Sequence, residues 1–158
     1  IAALIAGARG HVEAQTHRAL ITQSWRISRD AWPADGRIAV LPVPLQTLDA
    51  ARVYDAGSVA HAIDTQAFVV DTVSAPAMLL FPPWSLAVPG RERAGVELDV
   101  TVGYGAAGSA VPEPLRLAIR LLVAHWYENR GLIAPGATVT PLPSGVADLI
   151  APYRVRSL

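Results

Sequence analysis

The amino-acid sequence predicts an α+β fold: a helical layer built from both ends of the chain, with an inserted region of short, mostly antiparallel β-strands at about 20–102. Three observations predict it. Residues 112–130 carry the start, body and stop of one long helix. Residues 1–19 repeat apolar side chains at helical spacing. The stretch between switches to a period of two, in short runs separated by Pro, Gly and Asp. A short C-terminal helix completes the layer. The whole of 1–158 is expected to form a single domain.

The long helix is the element the rest is organised around. Pro112 and Pro114 suit a first turn, where a missing N–H costs nothing. Glu113 lies at the positive end of the helix dipole and Arg130 near the negative end. Gly131 supplies the left-handed residue that closes a helix. On a helical wheel Arg116, Arg120 and Tyr127 share a narrow stripe, while Leu115, Leu117, Ala118, Ile119, Leu121, Leu122, Val123, Ala124 and Trp126 make nearly all the rest apolar. An arc this wide implies burial on several sides. The helix is then the centre of the domain, or one face of it meets another subunit.

Composition supports the second possibility as readily as the first. Hydrophobic residues make up 52% of 158 and charged residues 16%, which excludes disorder on composition. No apolar run approaches the roughly 20 residues that span a bilayer, so no membrane partner is expected. An apolar surplus without a membrane span suits a subunit that hides surface against neighbours. The net charge is zero, and all 13 basic residues are Arg. That balance argues against a tight grip on nucleic-acid phosphates. The absence of cysteine removes disulfides, thiol nucleophiles and zinc–thiolate sites.

The elements follow in order. Ile1, Leu4, Ile5, Ala8 and Val12 mark one face of a helix over 1–19, with Arg9, Glu13 and His17 spaced i, i+4 on another. The chain opens at Ile1 already inside this pattern, which is read as structure rather than a signal-peptide core, and a segment trimmed or left out upstream is expected. Gly7 and Gly10 are expected where another backbone comes close. His11 and His17, six apart, are poorly spaced for metal. Residues 20–29 alternate as a half-buried strand through Ile21, Gln23, Trp25 and Ile27. Short strands are predicted at 37–41, 48–54, 59–63, 68–72, 78–81 and 97–102, the third and fourth of the seven as a hairpin around Asp55–Ser58. Pro82-Pro83-Trp84 reads as a rigid surface elbow and 88–95 as a charged loop. Residues 103–109 read as a flexible glycine-rich bridge, lacking the spacing of a phosphate loop. Ser144 is expected to cap a short helix at 146–151, stopped by Pro152.

A search for chemistry returns little. There is no Gly-x-Ser-x-Gly elbow, no His-Glu-x-x-His pair and no phosphate loop, and the acids are scattered singly. His125, inside the apolar arc with Glu128 three residues on, is the one provocative residue. It suits a buried catalytic base or, more simply, a histidine satisfied in a core or interface. No catalytic residue, cofactor or metal is assigned.

Three segments together resemble one family: residues 20–26 (Leu-Ile-Thr-Gln-Ser-Trp-Arg); the Gly103-Tyr104-Gly105 loop leading through Val111-Pro112-Glu113 to His125-Trp126-Tyr127-Glu128-Asn129-Arg130; and residues 149–154 (Leu-Ile-Ala-Pro-Tyr-Arg). They resemble the head–tail connector, or adaptor, proteins of long-tailed double-stranded DNA phages and phage-like gene transfer agents. The resemblance covers nearly the whole chain, and the His-Trp-Tyr-Glu-Asn-Arg run is its most specific part. Family members usually carry another helical segment ahead of the point where this chain opens.

The resemblance implies a structural virion protein, made in the host cytoplasm and placed at the neck. Its partners are the portal, a downstream neck, stopper or tail protein, and copies of itself in a ring, commonly twelve. Double-stranded DNA passes through the channel without sequence-specific binding. No catalysis and no cofactor are implied. Within this picture 141–158 becomes a docking segment, with Tyr153, Arg154, Val155, Arg156 and Leu158 as portal contacts. Arg116, Arg120, His125, Trp126 and Tyr127 become subunit interface or core. Two alternatives remain at this point: a small enzyme using His125, and a monomeric binding module using the strands and tryptophans.

Overall fold

The computed structural model describes residues 1–129 and 143–155. Among them, helix α1 (Ala2–Thr16) leads into strands β1 (Gln23–Arg29), β2 (Arg37–Val40), β3 (Leu45–Tyr54), β4 (Ala60–Ile63), β5 (Val69–Asp71), β6 (Ala77–Leu80) and β7 (Val96–Val102). Helices α2 (Glu113–Glu128) and α3 (Ser144–Ile150) follow, then a 3-10 turn at Ala151–Tyr153. The α+β reading holds, with the strands inserted between α1 and α2. No helix among the described residues is long and apolar enough to cross a membrane.

The strands form two antiparallel sheets, ordered β1-β7-β3-β4 and β2-β6-β5. β7 shows why: Val96, Leu98, Val100 and Val102 are buried, while Glu97, Asp99 and Thr101 point the other way. The small sheet answers with Ile38, Val40, Ala77 and Leu79, so the sheets share one core. Trp32 closes it at one end, its ring 5.2 Å from Phe81 and its indole N–H donating to the Ala87 carbonyl at 2.9 Å. A second core joins the helices through Ala8, Val12, Leu115, Ala118, Leu122, Val146 and Ile150.

Several local expectations need correction. α1 stops at Thr16 because His17 adopts a left-handed φ of 54° and donates its N–H to the Glu13 carbonyl; it caps the helix rather than extending an ion-paired face. The Arg9–Glu13 pair does form, at 3.7 Å. Gly7 faces a side chain, not a backbone: a Cβ there would sit 3.4 Å from the Trp126 ring, and Gly10 faces open space. β1 is an edge strand, with Trp25 46% exposed, so it is less buried than its alternation suggests. Pro143, not Ser144, precedes α3, which begins at Ser144. Arg130 and Gly131 lie outside the described residues.

The glycine-rich stretch after β7 is tied down. Thr22 donates its N–H to the Gly105 carbonyl at 2.9 Å, and Gly103 donates to the Pro44 carbonyl at 2.8 Å. Gln46 bonds the Gly103 carbonyl at 2.7 Å. The order that sequence alone could not show comes from residues 20–22 and 44–46, far away in the chain.

The outer face of the larger sheet carries a charge lattice. Arg26 bonds both oxygens of Asp99 at 2.7 and 3.1 Å, and Arg52 bonds Asp99 at 2.6 Å. Tyr54 donates to Glu97 at 2.8 Å, under the Arg91 guanidinium. The Arg26 hydrogen bond first, then Arg52, hold the Asp99 carboxyl down at about 2, against the opposing effect of its partial burial. The lattice therefore contributes its full stability above about pH 4, where an unfolded Asp is also ionised, and loses it as pH falls toward 2. Asp99→Asn is expected to cost about 1–2 kcal/mol at neutral pH. Its stability should also fall less steeply than the parent's between pH 4 and 2 in acid titrations followed by circular dichroism. Equal slopes would refute the assignment.

Candidate functional site: an open groove on the helical layer

Among the described residues, helix α2 is covered on one face. Leu115, Ala118 and Leu122 are fully covered by α1 and α3, while Leu117 and Leu121 are 39% and 36% exposed. The helix is therefore not the centre of the domain. Its wide apolar arc leaves an open groove of about 520 Å³ beside α1, floored by Ile1, Ile5, Ile119 and Val123. The predicted stripe of Arg116, Arg120 and Tyr127 forms its rim. A second hollow of about 430 Å³ continues past Ile5 and Ile119 toward Ile21 and Val111.

The rim is charged, and its two arginines share one carboxylate. Glu113, in the first turn of α2, pairs with Arg116 and, at 3.1 Å, with Arg120. The Arg116 Nε is buried and meets no acceptor among the described residues. The groove thus offers a long apolar floor with a thin polar border, a surface suited to packing against protein rather than to proton or group transfer.

The predicted site residues divide. Trp126 belongs to the helix–helix contact, its ring 6.3 Å from His11 in an edge-on arrangement and over Gly7. His125 is half-buried, and its partner is Asn129, not Glu128. The Asn129 amide lies 3.3 Å from the His125 Nδ1 and donates to the His125 carbonyl at 2.8 Å. This contact closes the helix end. Among the described residues no cluster of His, Asp and Glu has the arrangement of a metal site.

At the C-terminus the chain folds back on its own domain. Val155 is buried in the core between the sheets and donates its N–H to the Thr16 carbonyl at 3.1 Å. Tyr153 packs on the helical core, and Arg154 reaches Gln15 from an exposed position. Arg156 and Leu158 lie outside the described residues. Arg18, which the sequence did not single out, organises this corner. It bonds the Tyr153 carbonyl at 2.7 Å and the Tyr104 hydroxyl at 3.1 Å, and its guanidinium lies 5.8 Å from the Tyr153 ring. Burial pushes the Tyr104 phenol up.

No protein-family model and no curated protein matches the chain. Solved structures do. A chain in the neck of an empty gene transfer agent particle is 30% identical, with a TM-score of 0.79, over 99% of this chain and 78% of that one. This chain belongs to the head–tail connector family of long-tailed phages and phage-like gene transfer agents. Two further chains in solved particles agree. One, in the virion of a native gene transfer agent, is 29% identical at a TM-score of 0.80, over 99% and 77% of the two chains. The other, in the neck of a native particle described with C12 symmetry, is 28% identical at 0.79, over 99% and 82%. The likeness thus takes in the β insertion as well as the helices.

Proposed function

We propose that this connector is a structural neck protein: an adaptor ring subunit that joins the portal to the next neck or tail protein and extends the DNA channel. The observation that carries the reading is likeness over 99% of the chain to neck proteins, one of them in a neck described with C12 symmetry. The open groove supports it. A ring subunit needs two different faces, each covered by a neighbour, and an isolated subunit must then expose apolar surface. Arg116, Arg120 and Tyr127 are the groove residues assigned to a subunit contact. Zero net charge suits a conduit through which DNA slides without sequence-specific binding. No catalytic step belongs to this reading.

Portal docking falls to Arg154 and the residues after Val155, with Tyr153 and Val155 holding the segment in place. The two lobes act together as one connector domain. Deleting residues 156–158 with Arg154→Ala, while keeping Tyr153 and Val155, is expected to abolish capture by the purified portal without loss of folded protein. Undiminished capture would remove the docking assignment. The wider reading is tested by electron microscopy of particles: ring density between portal and tail is expected for this chain. Complete particles lacking that density would overturn it.

A further inference from the structure

Among the described residues the larger sheet has two edges without a strand partner, β1 and β4. β1 is a seven-residue edge strand without proline or bulge, and β4 is the opposite edge, with Ala60, His61 and Ala62 exposed. An unpaired strand edge is a template for further pairing. Beside β1 lies a hollow of about 380 Å³, bounded by Trp25, Ile27, Arg29, Ala39 and Leu41. It leaves space along the strand.

We infer that β4 of one copy pairs with β1 of the next, so that the larger sheet runs on from subunit to subunit. This rests on the ring reading above. Direction permits it. β1, β7, β3 and β4 alternate, so β1 and β4 run oppositely, and a neighbour related by rotation brings its β1 antiparallel to β4. An odd number of strands would not do this.

Side-chain faces choose the register. Ser28, Glu97, Arg52 and Ala62 already form one row across the sheet. Pairing Ala62 with Ser28 of the next copy continues that row and keeps outward residues outward. It also sets Ile63 opposite Ile27, both half-buried, and brings Asp64 to Arg26. Arg29 meets no carboxylate among the described residues; its guanidinium bonds the Ser28 carbonyl. In this register it faces His61, whose ring holds Asp55 at 2.8 Å. Arginines on one edge thus meet aspartates on the other.

The cysteine-free chain makes the test direct. Ser28→Cys with Ala62→Cys, and separately Arg29→Cys with His61→Cys, replace exposed side chains on opposite faces. Each pair is introduced into the full protein in particles, which are imaged for the neck ring and oxidised. Most of the connector should shift into a ladder of covalent multimers of itself, while the single-cysteine variants do not extend past dimers. A ring present with neither pair cross-linking overturns edge pairing and leaves the ring reading standing. Cross-links to a different neck protein overturn it as well, by naming another occupant. An absent ring, also in parent particles, overturns both.

Discussion

Replacing Gly103 by valine is expected to abolish folding. Gly103 follows β7 with φ +118°, a conformation open to glycine and costly for a β-branched residue. A Cβ there would lie 2.5 Å from the Ile21 carbonyl oxygen and 2.7 Å from the Thr22 nitrogen. These are backbone atoms, held by the Thr22–Gly105 and Gly103–Pro44 hydrogen bonds, so they cannot swing aside as a side-chain tip would. Backbone strain of about 1–3 kcal/mol therefore adds to a clash that must separate the sheet from residues 20–22. Against a total stability of about 5–15 kcal/mol, the sum leaves little folded protein. Soluble yield and thermal melts of Gly103→Val and Gly103→Ala check this, with alanine intermediate. An alanine variant as stable as the parent would refute the assignment.

Leu98→Ala and Leu122→Ala are each expected to cost about 2–5 kcal/mol, and to lower the same single unfolding transition. Leu98 is fully buried between the sheets; Leu122 is fully buried among the helices. The two cores are distinct, yet the joint between them is dense. The Val43 N–H donates to the His17 carbonyl at 3.1 Å, Ala19 donates to Val43 at 2.8 Å, and Val155 closes over the sheet core from beyond α3. If this joint makes one cooperative domain, either cavity destabilises the whole, and far-UV and tryptophan signals move together. For a chain of this length the shift is about 2–4 °C per kcal/mol. Two separated transitions, with Leu98→Ala moving only one, would instead make the lobes independent.

Much of the fold was legible because it depends on local periodicity. The alternation of Val96 to Val102 needs no distant partner to be read, and neither does the hairpin turning at Asp55–Ser58. The helical pattern of 113–128, with prolines at its start and an acid in its first turn, is equally local. The candidate site was half legible. The Arg116, Arg120, Tyr127 stripe was visible as a wheel position. That it rims an open groove depends on where α1 crosses α2, which the Gly7–Trp126 contact decides.

Sequence by itself determined the element types, the antiparallel insertion between helices, the apolar surplus and the family resemblance. Each is a property of neighbours along the chain or of composition. Tertiary structure alone decided the rest. Gly103 is rigid because Pro44 and Ile21 surround it. Val155 belongs to a core because α1 ends at Thr16. β1 and β4 become opposite edges of one sheet because β7, distant in sequence, inserts between β1 and β3. These outcomes depend on contacts between residues far apart in the chain, and no local pattern encodes which distant backbone will supply the missing partner.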